Sequence, residues 1–427
     1  MFRHLESFLK FFIKRGVGAL RSFFLLIYGA PVNTSDYEGR MLIINLEAMG
    51  DLVIFTSALK HYKKRFPDKK IFLLIKERGM EEVFKNFVDE VLILQHTKFV
   101  ADPFYGFKFI NKLRRIGFYK VINHDFVVPE IAGKIIAVSV GAKEVIGHAG
   151  QEMEYNIPHD IQQVRQIKFI REKILPRYTK LIPPIREDSG KDGTLASILQ
   201  QYVWIYESAT GFKEEDYSTA LPGFESGEQT KGVMSKFDLK SNSYAVININ
   251  CNAPCRTWPA ERFIKITEFL AGKGFSIVLV GSKSEFRRVQ EFQKSCRVPT
   301  KNLAGETSFF ELAVLVKHCA LVVSNDTSTI HVAIALKKPS LGISGGGKFG
   351  LSVLYGYQDI NVWVYKRMDC YNDNWHCAFS VPYDAPSPCV AAVTTEMVLE
   401  KLQSLVEYLR KTDLYPREKF KARFELE

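Results

Sequence analysis

Four short stretches carry the side chains that could do chemistry. In "INLEAMGDLVIFTSALK" (44–60) an apolar run stops at Glu47-Ala48-Met49-Gly50, and an apolar-periodic helix starts near Leu52. Asp51 stands at that junction. It reads as a helix cap satisfying free amide protons, or as a carboxylate that takes a proton from a substrate hydroxyl. Gly50 beside it lets the backbone turn tightly or approach a ligand.

The other three stretches lie in the second half. "CRTWPAERF" puts Arg256 in the loop before a helix opened by Pro259, with Trp258 as an apolar anchor. A guanidinium there is either a surface charge or a phosphate ligand, suited by its fixed fork and permanent charge. "VVSNDTSTIHVAIALKKP" runs from a buried strand straight into a helix. Thr327, Ser328 and Thr329 then present amide protons and hydroxyls at a helix N-terminus, a ready anion site. Asp326 reads first as the cap of that helix, and His331 as a packed imidazole in its first turn. In "LVGSKSEF", Glu285 either accepts from ribose hydroxyls or simply suits a helix's first turn. Ser308 and Glu311 have capping-box spacing and are read as structural.

Two other patterns are set aside. "GISGGGKF" has the glycine spacing and Lys348 of a phosphate-binding P-loop, but Phe349 stands where a magnesium-binding hydroxyl is required, which leaves a glycine-rich loop whose backbone amides could touch phosphate. Cys370, His376, Cys377 and Cys389 have spacings that fit no tight zinc signature, so unpaired thiols or a local loop staple are expected.

The elements that must position these residues alternate strand and helix. "MLIINL", "KIFLLI", "EVLIL" and "KVINH" are strands separated by helical patterns, and "AGKIIAVSVGA" continues the series. Residues 151–230 read as mostly helical and irregular. The alternation restarts at "YAVININ" and continues through "FSIVLVG", "ALVVSND" and "PSLGIS". Such alternation predicts α/β units with parallel, doubly wound sheets, whose ligands bind beyond the carboxyl ends of the strands. The expected domains are a basic helix and linker at 1–40, a first Rossmann-like domain at 41–230, a second at 231–390, and a closing helix and tail at 391–427. Facing each other, the two would form a cleft.

Composition narrows the class. With 46% apolar and 25% charged residues over 427 positions, the chain is globular and long enough for two cores. A formal charge of +11 favours an anionic partner. Nucleic acid is disfavoured, because no aromatic-interleaved basic stretch occurs outside the start of the chain. There, Phe8, Leu9, Phe11, Phe12 and Ile13 alternate with Lys10, Lys14 and Arg15. The pattern is too short and too charged to span a bilayer, so a basic amphipathic helix on an anionic membrane surface is expected, or one packed on the body. Seven cysteines in a chain of this size suit a reducing compartment. The expected location is cytoplasmic, peripheral on the inner face of the cell membrane.

Together the motifs resemble glycosyltransferase family 9, the lipopolysaccharide heptosyltransferases. "LEAMGDLVIFTSALKHYKKRFP" is similar to its opening, "INCNAPCRTWPAERF" to its I-N-P-G-A…W-P segment, and "NLAGETSFFEL…NDTSTIHVAIALKKP" to its N-L-A-G-x-T-S and N-D-S/T-G-x-x-H stretches. The resemblance implies the two-domain GT-B architecture and an inverting transfer of a sugar from a nucleotide-sugar donor, usually ADP-heptose. The acceptor it implies is a lipid-linked or phosphorylated core glycan, and no metal is required. It makes Asp51 the general base and assigns Arg256, Asp326, Thr327, Ser328, His331 and, less directly, Glu285 to the donor. Transfer of another sugar such as an N-acetylhexosamine, or nucleotide-sugar binding without turnover, stands as the alternative. Asn45, Glu47 and Ala48 beside Asp51, Cys251-Asn252, and Ser328 depart from the family's usual residues.

Overall fold

The central strands that the alternation predicts are buried on both faces, as β1 (Arg40–Ile44) and β7 (Tyr244–Asn248) show. Strands of that kind need helices on either side of a parallel sheet. The computed structural model describes residues 37–125, 131–149, 167–183, 185, 197–251, 253–347, 353–369, 371, 377, 379, 382, 385–411 and 419–421. The basic start of the chain, Lys348, Phe349, Cys370 and His376 lie outside the described residues.

The chain divides into two compact units. The described parts of Met1–Ala48, Ala58–Ile185 and Gln201–Glu214 form the first. Met49–Ser57 and the described parts of Arg186–Gln200 and Glu215–Glu427 form the second. The Met49–Arg65 helix is therefore shared, and its first two turns belong to the second unit.

The first unit's sheet contains β1, β2 (Lys70–Ile75), β3 (Glu90–Ile93), β4 (Lys120–Asn123), β5 (Glu144–His148) and β6 (Lys180–Ile182), in the order β3-β2-β1-β4-β5-β6. All its pairings are parallel. The second holds β7, β8 (Ser276–Leu279), β9 (Thr300–Asn302), β10 (Leu321–Asn325), β11 (Ser340–Ile343) and β13 (Asn361–Val364), in the order β13-β11-β10-β7-β8-β9, again parallel. A short antiparallel pair joins β12 (Gly356–Tyr357) to β14 (Phe420–Lys421). Both large sheets reverse strand order at one point, between β1 and β4 and between β7 and β10. A crevice forms outside such a reversal because the flanking helices leave on opposite faces.

Apolar helix faces complete each core. Phe109, Ile110 and Leu113 from Pro103–Ile116 pack with Leu42, Ile44 and Leu74 in the first unit. Phe263, Ile266 and Leu270 from Ala260–Gly272 pack with Ile247 and Leu279 in the second, where Val398, Leu402 and Leu405 of Thr395–Lys411 join them. The strand–helix alternation marks eight of these twelve strands and not β5, β6, β9 and β13. Three of those four are sheet edges, and β6 and β9 are three residues long with polar content. A half-exposed edge does not need an unbroken apolar run, so it leaves little signal.

Candidate active site

The second sheet's reversal point gathers most of the residues singled out above. Asn325 closes β10, and its side chain fastens the neighbouring loops. Its Nδ2 donates to the main-chain oxygen of Ile249 at 2.9 Å, and its Oδ1 accepts from the Trp258 amide at 3.0 Å. Trp258 is fully buried, donates to the Val393 carbonyl at 2.8 Å, and meets Phe263 edge-on. Anchored in this way, it holds the Pro254–Arg256 turn over the end of β10.

Arg256 reaches Asp326 from that turn. Its Nη2 lies 2.9 Å from Asp326 Oδ2 and 3.3 Å from the Asp326 main-chain oxygen. On the other side, His331 Nε2 lies 3.5 Å from Asp326 Oδ1. Burial pushes the Asp326 carboxyl up, but the bonds from His331 and the charge of Arg256 outweigh it, and the net shift is downward. Burial likewise works against the Arg256 cation, yet Asp326, Cys251 and Asp51 together raise its pKa. A carboxylate committed to two cationic or donor groups does not cap a helix. The N-cap of Ser328–Ala335 is Thr327, without a side-chain cap, so the expectation of Asp326 as cap is corrected.

His331 is buried and held from the far side by Tyr355. Its Nδ1 is 2.8 Å from the Tyr355 hydroxyl, and the rings stack at 14°. Burial raises the Tyr355 pKa well above its usual value, with Asp326 and Asp51 adding to the shift. The expected row of hydroxyls at this helix is only partly offered outward. Thr329 Oγ1 accepts from Asn248 Nδ2 at 2.9 Å, and Thr327 Oγ1 pairs with Ser324 Oγ at 3.0 Å. Ser328, the first helical residue, is half-exposed.

Gly50 and Asp51 belong to this same group. A Cβ built on Gly50 would sit 2.9 Å from His331 Cδ2 and 3.4 Å from Ser328 Cα. Only glycine allows that approach of two helix starts. Asp51 is half-exposed, and its charge acts on both Arg256 and Tyr355. The helix N-cap is Ala48, so Asp51 stands in the first turn and the capping reading is corrected. Acidic groups in a first turn are favoured by the helix dipole regardless. Glu285 is engaged in a capping box, with its Oε2 accepting from the Ser282 amide at 2.6 Å. Ser308 and Glu311 form the box expected of them.

Several contributors were not legible beforehand. In the first unit, Asp125 at the end of β4 accepts from the Leu46 amide at 2.7 Å, fixing the chain a few residues before Asp51. Gly133 is forced to be glycine by that carboxylate, since a Cβ there would lie 1.7 Å from Asp125 Oδ2. Asn45 turns the loop by accepting from the Glu47 amide at 3.1 Å. Behind them His124 and His148 are buried, and burial lowers their pKa values to about 3 and about 4. Tyr355 belongs to no motif in the sequence. Gly346 packs under the Tyr371 ring and donates to Cys389 Sγ at 3.3 Å, so that loop is filled by the protein itself. No group of three metal-ligating side chains occurs among the described residues.

Comparison with known proteins agrees with this architecture. The profile described as "Glycosyltransferase family 9 (heptosyltransferase)" matches residues 136–375. A curated relative, lipooligosaccharide heptosyltransferase 2 of Haemophilus ducreyi, is 29% identical over 154 residues, which is 33% of this chain and 44% of that protein. The match thus spans less than half of the relative's length. A solved family 9 glycosyltransferase from Veillonella parvula superposes with TM-score 0.69 at 17% identity, covering 89% of this chain and 100% of that one. ADP-heptose lps heptosyltransferase II of Escherichia coli superposes with TM-score 0.62 at 16% identity, covering 87% and 99%. At those identities the solved structures establish a shared fold, the GT-B type.

Proposed function

Because this chain belongs to glycosyltransferase family 9, we propose that it is an inverting glycosyltransferase that moves heptose from ADP-heptose onto a lipopolysaccharide core or related lipid-linked glycan. The observation that carries the reading is the Asp326-centred group, in which one buried carboxylate orients both Arg256 and His331 at a sheet reversal point, with Asp51 close enough to act on Arg256. The names of the relatives supply the sugar and the acceptor class.

The acceptor hydroxyl attacks the anomeric carbon on the face opposite the diphosphate. Its proton passes to Asp51 as the new C–O bond forms, and the bond from that carbon to the diphosphate oxygen breaks. A positioned base contributes about 10²–10⁴-fold. The departing diphosphate gains negative charge, which Arg256 and the first amides of Ser328–Ala335 receive. Asp326 is a positioning residue, and Gly50 sets the distance between base and donor helix. Glu285 faces the donor's ribose. No metal is needed in this scheme, since the cation and the helix amides meet the charge. The acceptor's lipid keeps the enzyme on the anionic inner face of the cell membrane, consistent with +11 formal charge.

Transfer from ADP-heptose to a purified lipid A–core acceptor tests the reading. Asp51→Asn should bind ADP as the wild type does and transfer at least 100-fold more slowly. A full transfer rate in that variant removes Asp51 as the base, and no transfer by the wild type from any heptose donor removes the activity.

A further inference from the structure

We infer that Asn250 recognises the ribose of the donor nucleotide, an inference that rests on the nucleotide-sugar reading above. Asn250 follows β7 and is 1% exposed, and neither its side-chain oxygen nor its side-chain nitrogen has a hydrogen-bond partner among the described residues. Its main chain is already secured. The amide donates to Asn248 Oδ1 at 3.0 Å, and the carbonyl accepts from Asn325 Nδ2 at 3.3 Å. The side chain therefore does nothing for the backbone. A buried amide left unsatisfied is destabilising, and an apolar residue of the same size would avoid that cost. Buried polar groups kept in this condition call for an explanation, and a ligand is one.

The surroundings identify the ligand chemistry. A Cβ built on Gly281 would lie 3.2 Å from Asn250 Nδ2, 3.1 Å from Glu285 Oε2 and 3.5 Å from Ala304 Cβ. The amide and the carboxylate thus flank a glycine where β7, β8 and β9 end together. The Gly305 amide bonds to the Gly281 carbonyl at 2.9 Å and locks the last two strand ends. This is the side of a doubly wound sheet that takes nucleotides. A phosphate is disfavoured, because Glu285 and the amide oxygen both repel it. A vicinal diol suits the pair, since each hydroxyl can both donate and accept. Glu285 Oε2 already accepts from the Ser282 amide at 2.6 Å and its hydroxyl at 2.8 Å, so the carboxylate alone is a depleted acceptor and offers no donor. Asn250 supplies both missing functions. A site built to bond a hydroxyl rejects the analogue that lacks it, because its buried groups then stay unpaired.

The test is calorimetric titration of wild type, Asn250→Ala and Asn250→Leu with ADP and UDP, then with the 2′,3′-dideoxy form of the tighter nucleotide. Wild type should bind the ribo form at least tenfold better than the dideoxy form, and both variants should shrink that ratio to threefold or less. Asn250→Leu without ligand should melt at or above the wild-type temperature, because it removes an unsatisfied amide. An unchanged ratio in the variants overturns the inference, whatever happens to overall affinity or melting. A melting loss with an unchanged ratio assigns Asn250 a structural role instead. Wild type that binds neither nucleotide overturns the inference together with the functional reading, whereas wild type that binds but does not transfer leaves this inference standing.

Discussion

Gly50 and the His331 imidazole are so close that a single methyl on Gly50 would lie 2.9 Å from His331 Cδ2. His331 has no room to yield, since Tyr355 stacks on its ring and bonds its Nδ1. Two effects compete in Gly50→Ala. Helix propensity favours alanine by about 1 kcal/mol at most, and less in a first turn. Overpacking a rigid contact costs about 1–3 kcal/mol. The clash wins. The variant should melt below wild type and transfer sugar at least tenfold more slowly. Equal melting and equal rate would show that the two helix starts do not depend on this contact.

Arg256 and Asp326 allow the charge pair to be separated from its use. Arg256→Gln leaves a buried carboxylate without its cation. A loss of about 2–3 kcal/mol is expected, below the usual range for a fully buried pair because the Arg256 side chain is 27% exposed. Adding Asp326→Asn should return most of the stability but none of the ADP affinity. Denaturant unfolding and ADP titration of the single and double variants measure both. Recovered affinity in the double variant would mean that Arg256 does not meet the donor.

Acid should weaken the first unit through its buried histidines. His124 and His148 titrate at about 3 and about 4 because burial disfavours their charged forms. An unfolded histidine titrates near pH ~6.5, so between there and the folded value the unfolded chain binds more protons. Stability is complete above that pH and falls as pH drops through the window. At pH 5 each histidine removes about 2 kcal/mol relative to pH 7. His148→Gln should therefore lose about 2 kcal/mol less than wild type between those two pH values, read by denaturant unfolding. An equal loss in both proteins would place the acid sensitivity elsewhere.

The basic start of the chain predicts a membrane-surface interaction. The 427-residue protein should sediment with phosphatidylglycerol-containing vesicles in low salt and be released by high salt, since polybasic attraction is screened. Deletion of residues 1–30 should abolish sedimentation without altering ADP affinity. Retained sedimentation would move the membrane contact to another part of the protein.

Read alone, the sequence determined the tandem α/β architecture and the central strands. Those strands are buried on both faces, and an unbroken apolar run is the local signature of that burial. It also determined which residues stand at strand ends, because Gly50-Asp51 and Asn325-Asp326 mark where apolar runs give way to helices. Tertiary structure alone decided what those residues do. The sequence favoured Asp326 as a cap, but Arg256 arrives from a segment 70 positions away and, with His331 of the following helix, takes its carboxylate. Tyr355, Asn248 and Asp125 carried no local signal, for their significance lies in partners 24 to 81 positions away, and neither did Asn250, whose side chain has no partner among the described residues. Side-chain bonding between strand ends depends on how the sheet orders its strands, and that order is a property of the packed chain.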